Sequence, residues 1–209
     1  ILNLLGFNIM GDMNWHNHCG INTYPIIIAN SLKIPLLIWG ETPGDVFGTF
    51  GPNDFVEMSN RLRIEGELRG FLPEDLIKKS KGQLDYKDMI WANYPDEQSL
   101  YNNKIKGIYI GNYFRWLPND HVELMKKKYG WKEKKGGFDR TYRTFSNLDN
   151  IFENGVHDYL KFVKFGYGRG TDHSGKDIRD GLINRSQGVK NVLKYDHVIP
   201  KDLTHWCEY

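Results

Sequence analysis

Cysteine is nearly missing from these 209 residues: Cys19 and Cys207 are the only two. Two thiols cannot build the disulfide framework of a small secreted domain, and their scarcity fits a reducing, cytoplasmic setting. Long apolar runs are missing as well. The longest, Ile34 to Trp39, falls far short of the roughly 18 residues that a membrane span requires. The first residues show no secretory pattern. Nor does one charge dominate. A formal net charge of +2 lacks the basic excess that marks most nucleic-acid binders. There is no internal repeat and no low-complexity linker. An initiator Met is absent too: the chain opens at Ile1, so we read it as a piece of a longer protein.

What is present describes a globular chain. Hydrophobic residues make up 40% and charged residues 26%, enough for one sizeable core or a core with a small appendage. Aromatic residues reach 14%, and their polar tips need partners or ligands. The basic runs Lys126 to Lys128 and Lys132 to Lys135 read as the solvated face of a helix end and a loop, since cations favour helix C-termini.

Residues 21–33 are expected to form a helix with Pro25 in its first turn, where a missing N–H costs little. Ile34 to Trp39 then reads as a strand buried on both faces, a short apolar run bounded by Pro and Gly. Gly40-Glu41 ends it, and residues 42–51 read as a loop. Helices are expected over 54–66 and from Leu72, with Pro73 early in the turn. Residues 105–114 form a second strand candidate. Asn119 or Asp120 is expected to cap a helix over 121–129 that Gly130 stops. From about residue 153 the pattern is all-helical. One segment stops at Gly166, a second over 172–182 is capped by Thr171, and a third over 185–195 is capped by Asn184. Helix, buried strand and Gly-containing loop together give an α/β class with ligands beyond the strand's carboxyl end.

Three clusters can carry chemistry. Glu41 and Asp45 lie just past the first strand, where carboxylates can hold a Mg²⁺ ion on nucleotide phosphates; they can equally cap the next helix. His16, His18 and Cys19 invite a zinc reading, although adjacent His18 and Cys19 cannot easily share one tetrahedral ion. The alternative is the lining of an anion pocket at a helix N-terminus. The stretch from Phe165 to Gly181 intersperses Gly with Arg169, Asp172, His173, Lys176 and Arg179. It reads as a polar turn feeding a helix start, with Arg169 ahead of the helix. Arg and Lys there can clamp phosphate, or can form surface ion pairs that contribute little.

The blocks His16-Asn17-His18-Cys19-Gly20-Ile21, Ile34 to Glu41, Lys164 to His173, Asp177-Ile178-Arg179 and Lys194-Tyr195-Asp196 resemble those of bacterial N-acetyl sugar amidotransferases of lipopolysaccharide O-antigen and flagellin-glycan synthesis. The resemblance is strongest over 14–41 and 157–197. It implies a PP-loop ATPase with a partial parallel-sheet core of the adenine nucleotide α-hydrolase-like fold over 1–150 and a helical C-terminal unit over 151–209. The implied reaction uses ATP and Mg²⁺ to turn the acetamido group of a UDP-sugar into an acetamidino group. A separate glutaminase subunit, with its cyclase-like companion, would deliver the ammonia. The implied roles are Glu41 and Asp45 for catalysis and Mg²⁺, and Gly40, His18 and Cys19 for cofactor binding. Arg169, Asp172, His173, Lys176 and Arg179 would bind the sugar nucleotide. The family's Ser-Gly-Gly-x-Asp-Ser phosphate loop and its N-terminal cysteine pairs, where a zinc would sit, are absent and expected upstream of Ile1. Two rivals are a tRNA-thiolating PP-loop enzyme, which needs a second reactive Cys or a cluster and a basic surface for tRNA, and a non-catalytic module that docks the glutaminase.

Overall fold

A computed structural model describes residues 1–41, 57–146 and 152–208. It is mostly helical, with a small parallel sheet, and divides into two compact units, Ile1–Trp116 and Leu117–Tyr209. The helical stretch expected from 151 lies in the second unit, which begins earlier and includes the segment around Arg140.

In the first unit, α1 (Leu2–Leu5) runs into a wider turn over Gly6–Met10, followed by α2 (Trp15–Ile21) and α3 (Tyr24–Leu32). Pro25 sits in the first turn of α3, as its fixed φ favours. Strand β1 (Leu36–Trp39) follows. After α4 (Asn60–Leu62), α5 (Pro73–Lys79) and α6 (Glu97–Asn102) comes β2 (Lys106–Tyr109). β1 and β2 pair in parallel with Leu36 opposite Lys106. Gly107 lets the layers close. A Cβ there would lie 2.5 Å from Met58 Sδ and 2.8 Å from the Trp39 ring, which only a bare Cα tolerates. The main core joins Leu5, Trp15, Cys19, Leu68, Leu76 and Met89, and the Trp15 indole donates to the Leu68 carbonyl at 3.3 Å.

One expectation is overturned here. The strand is not buried on both faces: Leu36 is 48% exposed and Ile38 57%. Among the described residues the sheet has only two strands, so side chains alternate between a half-covered face holding Leu37 and Trp39 and an open one. The open face forms one wall of a groove of about 550 Å³ whose other wall includes Pro25, Ile28 and Ala29. The expected loop at 42–51, with Asp45, lies outside the described residues. The adenine nucleotide α-hydrolase-like core is therefore not assembled by what is seen.

The second unit comprises α7 (Pro118–Tyr129), α8 (Asn154–Phe165), α9 (Arg169–Arg179), α10 (Arg185–Tyr195) and α11 (Asp202–Cys207). Gly130 and Gly166 end α7 and α8 in the left-handed conformation. Asn184 and Gln187 form a reciprocal capping box on α10, each side chain accepting the other's amide at 2.9–3.0 Å. Two caps differ from expectation. Leu117, not Asn119 or Asp120, precedes α7, because Pro118 takes its first position. Helix α9 begins at Arg169 rather than after Thr171, so Arg169 stands inside the helix. The reason lies in Asp196, described next. Among the described residues no helix is long and apolar enough to cross a membrane.

Candidate functional site

The interior of the second unit is held by charge rather than by a large apolar cluster. Asp196, at the end of α10, reaches the start of α9. Its carboxylate accepts the Gly168 amide at 2.9 Å, the Thr171 amide at 3.1 Å and the Thr171 hydroxyl at 2.5 Å. A helix needs its first N–H groups satisfied, and this remote aspartate does what a local cap usually does. Glycine is required beside it, since a Cβ on Gly170 would lie 2.7 Å from Asp196 Oδ1. Gly170→Ala is therefore expected to destabilise the chain by about 1–3 kcal/mol despite Ala's better helix propensity. Chemical denaturation checks this; an unchanged or higher stability would mean the cap yields without cost.

Arg169 points back to α8. Its guanidinium donates to both oxygens of Asp158 at 2.7–3.1 Å. Burial pushes the Asp158 carboxyl up, but His157 and the Arg169 guanidinium outweigh it and bring it down to about 2. Asp172 receives Lys161 at 2.6 Å. His173 is buried and shares a 2.7 Å hydrogen bond with Thr141. Burial, then the cations Arg143, Arg169 and Lys176, push its imidazole down to about 2, so it is neutral at physiological pH. Asp177 takes Arg143 and the Tyr142 hydroxyl. Arg140, 2% exposed, donates to the carbonyls of Asp158, Asp196 and Val198. Arg179 is exposed and Lys176 half-buried.

The polar residues read from sequence as ligand contacts are thus gathered on α9, but the partners of Arg169 and Asp172 lie on α8 and that of His173 is Thr141. Sequence reading missed Arg140, Arg143, Asp158, Asp177 and Asp196 as a set. Their charged and long-range partners lie 11 to 58 residues away, beyond any local spacing signal.

In the first unit, Glu41 stands at the carboxyl end of β1, its carbonyl accepting the Gly111 amide at 2.9 Å. Gly40 has open space where a Cβ would be. Glu57, which no motif marks, sits at the end of β2. It accepts the Tyr109 amide at 3.2 Å, the Asn112 side chain at 3.2 Å and the Tyr113 hydroxyl at 2.9 Å. Burial, then Glu41, Glu67 and Glu57, push the Tyr109 phenol well above its ordinary range. The strand ends therefore lie in a negative field.

Cys19 has no solvent exposure. Arg63 donates to its sulfur at 3.6 Å and also to Thr23 at 2.6 Å and to the Ala92 carbonyl at 2.9 Å. Burial pushes the Cys19 thiol up, which removes the thiolate needed for nucleophilic or metal chemistry. His18 instead lies 3.9 Å from Glu67. Among the described residues no three His, Cys, Asp or Glu side chains converge as a metal site; His16, His18 and Cys19 do not form one.

A helical unit organised by an internal ion network is the class of domain that the geometry defines, and its sequence relates it to lipopolysaccharide biosynthesis. Residues 128–209, from the end of α7 onward, match the family described as LPS biosynthesis protein WbpG-like, C-terminal domain. No curated protein matches the chain.

Proposed function

We propose that the protein carrying this chain is an ATP-dependent amidotransferase that converts the N-acetyl group of a UDP-sugar into an acetamidino group for surface polysaccharide or flagellin-glycan synthesis. The observation that carries this reading is the match of residues 128–209 to a lipopolysaccharide-biosynthesis domain. The ordered sequence blocks at 16–21 and 34–41 support it in the first unit.

The chemistry follows from the weakness of an amide as an electrophile. ATP transfers its adenylyl group to the acetamido carbonyl oxygen and pyrophosphate leaves. Ammonia from a glutaminase partner then attacks the activated carbon, and AMP departs with the former carbonyl oxygen. Magnesium favours carboxylate and phosphate oxygens, and the negative field at the strand ends suits it. Glu41, with Asp45 from the adjoining segment, would hold the ion, which neutralises charge on the departing pyrophosphate. Cys19, sealed in the core, offers a thiolating enzyme no reactive sulfur.

The test supplies ATP, Mg²⁺, an ammonium salt in place of the glutaminase, and UDP-N-acetyl sugars to the protein at its encoded length. Mass spectrometry should show carbonyl oxygen exchanged for NH, with AMP formed in step. Glu41→Gln should lower turnover at limiting magnesium by on the order of tenfold or more, with the helical circular dichroism unchanged. Absence of amidine and AMP with every such sugar would sink the reaction. Full turnover of Glu41→Gln at low magnesium would sink the role of Glu41.

A further inference from the structure

The second unit contains a pocket of about 300 Å³ at the start of α8, at the lower end of the size range of small-molecule sites. Arg140, Asp158 and Asp202 are among the residues that line it. Asp158 is consumed by Arg169. The terminal nitrogens of Arg140 are consumed by backbone carbonyls. Oδ2 of Asp202 caps α8, accepting Gly155 N at 2.9 Å and Val156 N at 3.4 Å. After this accounting two buried atoms of the pocket's residues have no hydrogen-bond partner among the described residues: Arg140 Nε, a donor, and Asp202 Oδ1, an acceptor.

Buried polar atoms without partners are costly and rare. Two of opposite type, on residues that line one pocket, limit what can fill it. An anion would satisfy Arg140 but meet the carboxylates of Asp202 and Asp139. A cation would satisfy Asp202 but oppose Arg140. A hydroxyl group both donates and accepts, so it can serve each. Phe138 lines the pocket as well, with Gly136 and Gly137, both glycines in the left-handed region. Lys134, Lys135 and Lys201 are exposed at its lining. Lys134 covers the Phe138 ring at 4.4 Å, and Lys201 lies 3.7 Å from Asp139. Lys135 has no ion-pair partner among the described residues. A hydroxyl-bearing ring on an apolar wall, with cations outside it, has the chemistry of a glycosyl phosphate.

We propose that this pocket binds the saccharide of a sugar nucleotide, a sugar hydroxyl lying between Arg140 and Asp202 and the phosphate facing Lys135. The inference rests on the reaction proposed above for the identity of the sugar, and on the unpaired atoms for the place.

Calorimetry on the 209-residue chain, with UDP-N-acetylglucosamine, N-acetylglucosamine, UDP and inorganic phosphate as probes, decides it. Asp202→Asn keeps an oxygen for the α8 cap and puts a second donor opposite Arg140. It should weaken both sugar probes by about tenfold or more. Lys135→Glu, an exposed change that leaves the fold intact, should weaken the sugar nucleotide by about tenfold and spare the free sugar. Wild-type affinity in Asp202→Asn, or in Lys135→Glu if the first variant does not fold, overturns the pocket and leaves the proposed reaction standing. Binding of inorganic phosphate alone overturns the saccharide class. No heat with any sugar probe overturns the pocket, while the activity assay judges the reaction separately. Binding that follows these variants without amidine formation upholds the pocket and overturns the reaction.

Discussion

Replacing Arg169 with alanine is expected to destabilise the chain by about 3–5 kcal/mol, the usual cost of stranding one member of a buried ion pair. The partner left behind is Asp158, whose side chain is 2% exposed. With its guanidinium gone, the carboxylate keeps the 3.4 Å contact to His157 and the charge of nearby Arg140 and must pay desolvation or take up a proton. Arg169→Lys should fall between, because an ammonium keeps the charge but cannot donate from two fixed nitrogens to both oxygens. Urea unfolding of the three proteins measures the series. Urea unfolding together with UDP-sugar calorimetry separates the two roles open to Arg169. If Arg169→Ala retains wild-type stability and loses UDP-sugar binding, the guanidinium serves a phosphate and the ion pair is incidental. Destabilisation with the order wild type, lysine, alanine assigns it to the fold.

Acid should weaken the chain through His173 well before Asp158 titrates. Its imidazole is down at about 2 in the folded chain against an ordinary 6.5. A depressed folded pKa means that the unfolded chain binds the proton first. The stabilisation is therefore complete above about 6.5 and is lost as pH falls from there toward 2. Across that window one such group changes the unfolding free energy by roughly 1 kcal/mol per pH unit, or about 2–3 kcal/mol between pH 6.5 and 4.5. Asp158 adds to the loss only below its ordinary 3.8. The His16 imidazole is also pushed down, by burial first, and acts in the same direction. The comparison must therefore be with His173→Asn, which keeps a polar atom near Thr141 but cannot take the proton. Its unfolding free energy should fall less steeply with acid by that amount. Parallel pH profiles for the two proteins would show that His173 is protonated without unfolding, through a path the static structure does not provide.

Local chemistry was readable in the sequence and distant pairing was not. Pro25, Pro73, Gly130, Gly166 and the Asn184–Gln187 box each act within a few residues, and helices start or stop beside all of them. The strand at Leu36–Trp39 announced itself through β-branched and apolar residues between Pro and Gly. Its burial did not follow, because coverage depends on what lies across the sheet. The stretch from Gly166 to Gly181 misled for a related reason. Five glycines among charges look like a turn that greets a ligand, yet the helix expected only from residue 172 already begins at Arg169. Gly170 makes room for Asp196. Across the helix pair, a Cβ on Gly188 would lie 2.7 Å from the Ile178 side chain, so that glycine too marks close approach. The charges of α9 find partners on α8 and in the segment from Thr141 to Arg143. Periodicity counts polar residues as solvent-facing, so a core built of ion pairs is invisible to it.

The aspartate that seals the start of α9 has a consequence for how the protein is made. Residues 169–179 leave the ribosome before position 196 does, so the growing chain carries this glycine-containing helix for a time with its first amides unserved. It cannot be secured until α10 has followed it out. The two helices should therefore become protected together and late in synthesis, and a stall between them would present proteases with an open segment that the finished protein conceals.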